Sequence, residues 1–289
     1  MWVATLIAPA SKLNGALVES LRNAWGGGDA IWLAPDEAAE FGLSKIPDNQ
    51  WSVWEALQAQ QVDLIVQPVE GRRKKVLLAD MDSTMIAQEC IDELAAEAGV
   101  GAHVAQITAR AMNGELDFEA ALDERVGLLK GLPVEVIDKV LAERITLMPG
   151  GPALVATMKA QGAYAALVSG GFTAFTSAIA ARLGFDENRA NMLLSENGKL
   201  TGRAGRPILG KEAKVQALNE ITARLGITAA DVLAVGDGAN DLGMLTRAGT
   251  GVALHAKPSV QEQCDIRVNH GDLTALLYLQ GYPKQEFVS

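Results

Sequence analysis

Short apolar runs alternate along most of the chain with segments whose apolar positions recur every three or four residues, a pattern that predicts strands separated by helices. Trp2 to Ile7 reads as a strand, Asn14 to Trp25 as a helix ended by Gly26-Gly27-Gly28, and Ala30 to Leu33 as a second strand. Trp51 to Ala59 reads as a helix and Asp63 to Val69 as a closing strand. These elements predict a small α+β unit over residues 1–70. The stretch Gly71-Arg72-Arg73-Lys74-Lys75 reads as a solvated linker. Beyond it, Lys75 to Ala79, Ala163 to Val168, Asp231 to Val235 and Gly251 to Leu254 are strand-like, with helical patterns between them. That is the signature of βαβ units around a parallel sheet.

The gap between the first two of these core strands is too long for one crossover helix. Ile86, Cys90 and Leu94 recur at helical spacing before Gly99; Val104, Ile107 and Ala111 do so before Asn113-Gly114. Phe118, Leu122, Val126 and Leu129 repeat the pattern before Gly131. Residues 86–147 therefore read as consecutive helices inserted into a core that occupies 74–85 and 148–289. Ligands of open α/β sheets bind beyond the carboxyl ends of the strands, so an insert leaving the sheet there is expected to act as a lid.

The chemistry gathers at those same strand ends. Asp80-Met81-Asp82-Ser83-Thr84 follows the first core strand directly, and strand alternation would turn Asp80 and Asp82 to the same side. Two carboxylates so close repel unless a cation or proton lies between them. Ser169-Gly170-Gly171 ends the second core strand, where a hydroxyl and glycine amides suit a phosphate. Gly236-Asp237-Gly238-Ala239-Asn240-Asp241 ends the third, adding two carboxylates and an amide, and Lys211 and Lys214 open the preceding helix. Oxygen-rich clusters beside an anion site predict a hard cation, with Mg²⁺ the natural choice because it is commonly shared with substrate phosphate.

Charge and cysteine usage narrow the partners. Of 289 residues, 25 are Lys or Arg and 35 are Asp or Glu, giving a net charge of −10 that disfavours nucleic acid and anionic membranes. An anionic substrate then needs a local positive pocket. Two cysteines, Cys90 and Cys264, make no disulfide framework and suit a reducing compartment. With no basic leader at Met1 to Ile7 and no apolar run approaching a membrane span, the cytoplasm is the expected location.

Taken in order, Asp80-x-Asp82-x-Thr84, Ser169-Gly170-Gly171, a lysine and Gly236 to Asp241 resemble the haloacid dehalogenase superfamily of phosphatases, and within it the branch acting on phosphoserine. The likeness covers roughly residues 74 to 270. It implies a Rossmann-like parallel-sheet core of α/β class with an inserted helical cap, and a covalent route in which Asp80 is the nucleophile and Asp82 the general acid and base. It further implies Mg²⁺ held by Asp80, the backbone carbonyl of Asp82 and Asp237 with Asp241 nearby, and phosphate held by Ser169, Gly170 and Lys214. The family's lysine lies 23 residues before its aspartate, which selects Lys214 over Lys211. By the same resemblance Glu89 and Arg125 would hold the ammonium and carboxylate of O-phosphoserine, Met112 and Phe118 would line the apolar pocket, and Asn240 would belong to the substrate site. The N-terminal unit loosely resembles an amino-acid-binding module of the ACT type, for which dimerisation into a homodimer or serine binding are the expected roles.

Each residue taken singly has an ordinary explanation. Asp is common at strand-to-helix turns, Ser169 suits an N-cap, Lys214 a solvated helix face and Arg125 a snorkelling position. His103, His255 and His270 lack ligand spacing, and Cys90 lies on an apolar stripe. Three motif matches fail: Gly205 to Glu212 has Glu212 where a P-loop needs Ser or Thr, Gly249-x-Gly251 runs into Leu254 where a dinucleotide fingerprint needs glycine, and Leu167 occupies the first glycine position of an esterase elbow. The rival readings are the same chemistry on another small phosphomonoester, phosphoryl transfer to an alcohol such as homoserine, and a noncatalytic amino-acid sensor.

Overall fold

The computed structural model describes residues 1–112 and 115–288. Its first part has strands β1 (Trp2–Ile7), β2 (Ile31–Ala34), β3 (Ala38–Leu43) and β4 (Asp63–Pro68), with helices α1 (Gly15–Trp25) and α2 (Gln50–Gln58). They form an antiparallel sheet in the order β2-β3-β1-β4, in a split βαβ arrangement, and the unit is α+β. Asn14 caps α1 by accepting from the Ala16 amide at 2.8 Å, and Gly26 closes it in the left-handed conformation at φ 64°. Sequence reading missed β3. Its Ala-Ala-Glu-Phe-Gly-Leu composition is poor for a strand, and pairing with β1 and β2 on either side overrides that weakness.

The core begins at β5 (Val76–Ala79). Helices α3 (Cys90–Glu97), α4 (Gly101–Met112), α5 (Phe118–Gly127) and α6 (Val136–Glu143) follow before the chain returns through α7 (Gly151–Ala160) to β6 (Tyr164–Phe172). After α8 (Thr173–Leu183) come β7 (Glu187–Asn191) and a hairpin of β8 (Leu193–Glu196) and β9 (Lys199–Ala204). The chain ends with α9 (Lys211–Leu225), β10 (Val232–Gly236), α10 (Leu242–Arg247), β11 (Thr250–Leu254), α11 (Pro258–Gln261), β12 (Ile266–Val268) and α12 (Ala275–Leu279). A six-stranded parallel sheet runs in the order β12-β11-β10-β5-β6-β7. The order reverses direction beside β5, so the carboxyl ends of β5 and β10 flank the crevice where such sheets bind ligands.

Alternation along β5 feeds two hydrophobic layers. Leu77 and Ala79 pack with α3, α5, α7 and α8, whereas Val76 and Leu78 pack with α9 and α10 on the opposite face. Strands β7 and β12 escaped sequence reading because one is polar and half-buried at the sheet edge and the other has only three residues. The ends of the helical insert run side by side: Ile86 bridges Leu147, Ala87 N donates to Thr146 O at 3.0 Å, and Met148 N donates to Met85 O at 2.9 Å. Hairpin β8–β9 grips the other end, where Gly131 N donates to Leu200 O and Leu200 N to Leu132 O, both at 2.8 Å.

The segment read as a solvated linker is packed instead. Arg72 makes a two-point ion pair with Glu40, at 2.6 and 3.0 Å, because that carboxylate is buried on β3 and needs a partner. Arg73 stacks over Tyr282, 4.1 Å from its ring centre. Asp63 on β4 accepts from the amides of Asn269, His270 and Gly271, and Gln67 donates to Leu279 O, so the N-terminal sheet is stitched to the core. Both cysteines are free and buried. Among the described residues no helix is long and apolar enough to cross a membrane.

Candidate active site

Pairing of β5 with β10 continues one residue past the strand, because Asp80 N donates to Val235 O at 3.0 Å. The chain then turns tightly: the amides of Thr84, Met85 and Ile86 converge on Met81 O, with Ser83 left-handed at φ 56°. Strand alternation is therefore not what places Asp82, since β5 has ended at Ala79. The turn sends the two carboxylates to different partners along one cavity. Asp80 meets the Lys214 ammonium at 2.6 Å; Asp82 accepts from Cys90 N at 3.0 Å and from the Ser169 hydroxyl at 3.4 Å.

Across the crevice, the turn after β10 holds Asp237 and Asp241. Asp241 accepts from the amides of Asp237 and Gly238 at 3.2 and 3.0 Å and binds Lys214 at 2.5 Å. Gly236 is required there, since a Cβ on it would sit 2.4 Å from Asp241 Cγ. Carboxylate oxygens of Asp80, Asp237 and Asp241 all lie within 4.8 Å of one another, and all three residues are buried. Three carboxylates against one ammonium leave a formal surplus of two negative charges, which one divalent cation cancels. Asp80 Oδ1, although 2.6 Å from Lys214 Nζ, makes no aligned hydrogen bond and so keeps acceptor capacity for a further ligand. The donor set fits a small hard cation. The Asp82 carboxylate is not part of this cluster.

Crowding shifts the protonation equilibria. Burial, reinforced by Asp241 and opposed by Lys214, pushes the Asp80 carboxyl up to about 7. Burial also pushes Asp82 to about 6 against the pull of its Cys90 hydrogen bonds, and Glu89 to about 7 with help from Asp82. Asp237 lies well above the usual carboxylate range because it is buried and faces Asp241 and Asp80. Burial opposes the charge on Lys214, but Asp241 and Asp80 together outweigh it and hold the ammonium protonated.

Helices α3, α4 and α5 roof the cavity. Glu89 immediately precedes α3; its carboxylate makes no capping bond to the helix and instead accepts from Ser83 Oγ at 2.6 Å. Arg125, buried on α5, points into the same space, where Phe118 closes over Gly170; a Cβ there would meet the ring at 2.8 Å. Gly171 N donates to Ser169 Oγ at 2.9 Å, and Asn240 completes the wall. Of the residues named from sequence, Asp80, Asp82, Glu89, Phe118, Arg125, Ser169, Gly170 and Asn240 line this one cavity. Lys214 lies beneath it, joined to Asp80 and Asp241, and is not solvated as an ordinary helix lysine would be. Lys211 is exposed. The Met112 side chain lies outside the described residues. Sequence reading missed Thr108, which lines the cavity from α4, and Asn191, whose amide joins Gly170 O at 2.9 Å to the Leu209 backbone. No local motif surrounds either residue.

A parallel sheet with this acid-lined switch point and inserted helices agrees with the family comparison: the model for haloacid dehalogenase-like hydrolases matches residues 77–246. The chain belongs to that family. A curated phosphoserine phosphatase from Archaeoglobus fulgidus is 43% identical over 226 residues, covering 78% of this chain and 65% of the relative. The crystal structure of a HAD family hydrolase from Salmonella enterica serovar Typhi superposes with a TM-score of 0.86 at 32% identity, over 96% of this chain and 97% of that one. A structure of a phospho-aspartyl intermediate analogue of phosphoserine phosphatase matches with a TM-score of 0.68 at 43% identity, over 71% of this chain and 98% of that one. The chain spans less than two thirds of the length of the first curated relatives it matches.

Proposed function

We propose that this protein is a Mg²⁺-dependent phosphatase that hydrolyses O-phosphoserine to serine and phosphate, the closing step of a serine-forming route. The observation that carries the reading is the divergence of the two acids along one cavity: Asp80 tied to an ammonium, Asp82 to a hydroxyl and an amide. One carboxylate can then act as nucleophile while its neighbour carries a proton. Asp80 attacks phosphorus, its oxygen forming the new P–O bond as the bond to the serine oxygen breaks. Asp82 delivers its proton to that leaving oxygen, then accepts one from the water that hydrolyses the aspartyl-phosphate. Ser169 and the Gly170 amide would hold the phosphoryl oxygens, with Lys214 orienting Asp80 and opposing its protonation. Asp80, Asp237 and the Asp82 carbonyl would hold Mg²⁺ with Asp241 beside it, and the bound ion supplies neutralisation of charge on the transferring group. Glu89 and Arg125 carry the opposite charges that a zwitterionic substrate needs, with Asn240, Phe118 and Met112 completing the substrate site beneath a cap of residues 86–147. The buried free thiols Cys90 and Cys264 suit the reducing cytoplasm.

A phosphate-release panel tests this directly. Phosphoserine is expected to be turned over fastest among small phosphorylated metabolites, with activity lost on chelation and restored by Mg²⁺. Preference for a sugar phosphate, or undiminished turnover in chelator, would refute it.

The metal site also has a pH signature. Carboxyl groups raised to about 7 in the metal-free protein must lose protons before they can ligate, so Mg²⁺ binding near pH 6.5 is expected to release protons and to weaken steeply below about 7. Because the folded state holds protons that the unfolded state has lost above about pH 4, the metal-free protein is expected to lose stability as pH rises towards 7. Calorimetry in two buffers of different ionisation heat measures the release; identical heats would contradict the protonated ground state.

A further inference from the structure

Arg125 is held by an arrangement that no motif announces. Its Nε donates back along α5 to Ala121 O at 3.0 Å, and its Nη1 donates to Thr108 Oγ1 on α4 at 3.1 Å. Thr108 Oγ1 in turn donates to Asp92 Oδ1 on α3 at 2.7 Å. A hydroxyl has one hydrogen, so giving it to Asp92 fixes the oxygen lone pairs towards the guanidinium. Three helices thus converge on a single cation, and Thr108 is even more deeply buried than Arg125, at 2% against 6% exposure. With these two hydrogens engaged, three of the five guanidinium hydrogens have no partner among the described residues, enough for a two-point carboxylate contact in the cavity.

We propose that Thr108 and Asp92 are positioning residues that aim Arg125 at the carboxylate of an amino-acid phosphate and so set the preference for an amino acid over a simple amine. The inference rests on the proposed substrate class. Neither residue touches the reacting phosphoryl group; each acts through the arginine. An arginine free to swing among its rotamers would have to be ordered by each incoming substrate, whereas the Asp92–Thr108 relay completes that ordering beforehand. Glu89 and Asp82 also face the guanidinium, and a loosened Arg125 would be drawn towards them instead of towards the ligand.

The test compares phosphoserine with O-phosphoethanolamine, which keeps the ammonium and the ester but lacks the carboxylate. Thr108→Val, which preserves shape and removes the hydroxyl, is expected to lower kcat/KM for phosphoserine about tenfold, mainly through KM, and to leave phosphoethanolamine unchanged within about twofold. Thr108→Ser is expected to restore most of the loss, and Asp92→Asn, which leaves Thr108 in place, to show the same substrate selectivity more weakly. Equal losses on both esters would mark the relay as merely structural, and undiminished discrimination in Thr108→Val would overturn it alone. A wild-type enzyme that did not discriminate between the two esters would instead sink the carboxylate reading, and this inference with it.

Discussion

Asp80→Asn is expected to abolish phosphoserine turnover, with a loss of at least about 10⁴-fold, while leaving the protein folded. A carboxamide cannot form the aspartyl-phosphate, and removal of a covalent nucleophile ranks among the largest single effects in enzymes. The fold, by contrast, should accept the change. Burial already pushes this carboxyl up to about 7, so the interior favours an uncharged group at the position, and asparagine is an uncharged isostere. Lys214 would keep its ion pair with Asp241 at 2.5 Å. Breaking a buried pair by removing one partner typically costs about 3–5 kcal/mol, but that penalty applies to a charge left alone, and here a second carboxylate remains. Thermal melting of the metal-free variant should therefore match or exceed that of the wild type. Phosphate release within tenfold of the wild type would defeat the covalent route, and a molten variant would defeat the electrostatic account of the site.

What the sequence made legible, and what it hid, follows the range of the interactions involved. Asp80, Asp82, Ser169, Asp237 and Asp241 each stand within a few residues of an apolar run, so the parallel-sheet topology alone brings them to one crevice. The helical insert is visible because amphipathic spacing is local, and its fourth helix, α6, buries Ile137 and Val140 at the same spacing. Strands β3, β7 and β12 were hidden because neighbours distant in sequence create them: β3 lies between two strands, and the other two sit at sheet edges that need few apolar residues. The same holds for side chains. Arg72 looked like a linker cation until Glu40, 32 positions away, was found buried opposite it. Thr108 is an ordinary helix residue until α3 and α5 bring Asp92 and Arg125 to its two sides. Asn191 lies in a polar strand with no motif, yet it fixes the loop carrying Gly170 against Leu209.

Asp82→Asn should divide the two chemical steps instead of abolishing both. The amide can keep its contacts, since Oδ1 still accepts from Cys90 N and the second position still reaches Ser169 Oγ, so the geometry around Asp80 is expected to survive. What disappears is the proton. For phosphoserine, whose alkoxide leaves poorly, loss of a general acid should lower kcat by about 10²–10⁴-fold. An aryl phosphate with a phenolate leaving group needs little help to depart, so transfer of its phosphoryl group to Asp80 should be nearly spared. Hydrolysis of the aspartyl-phosphate still requires a base for water, and that step should be slowed on either substrate. The variant is therefore expected to show a burst of phenolate release close to one equivalent per site, followed by slow turnover, and phosphoryl-enzyme should accumulate enough to be trapped by acid quench. Asp82 itself is raised to about 6 by burial, so the wild type can supply the acid form for the first step and the base for the second near neutral pH. Uniform slowing of aryl and alkyl esters with no burst would remove the proton-transfer role and leave Asp82 as a structural acceptor for the turn at Cys90.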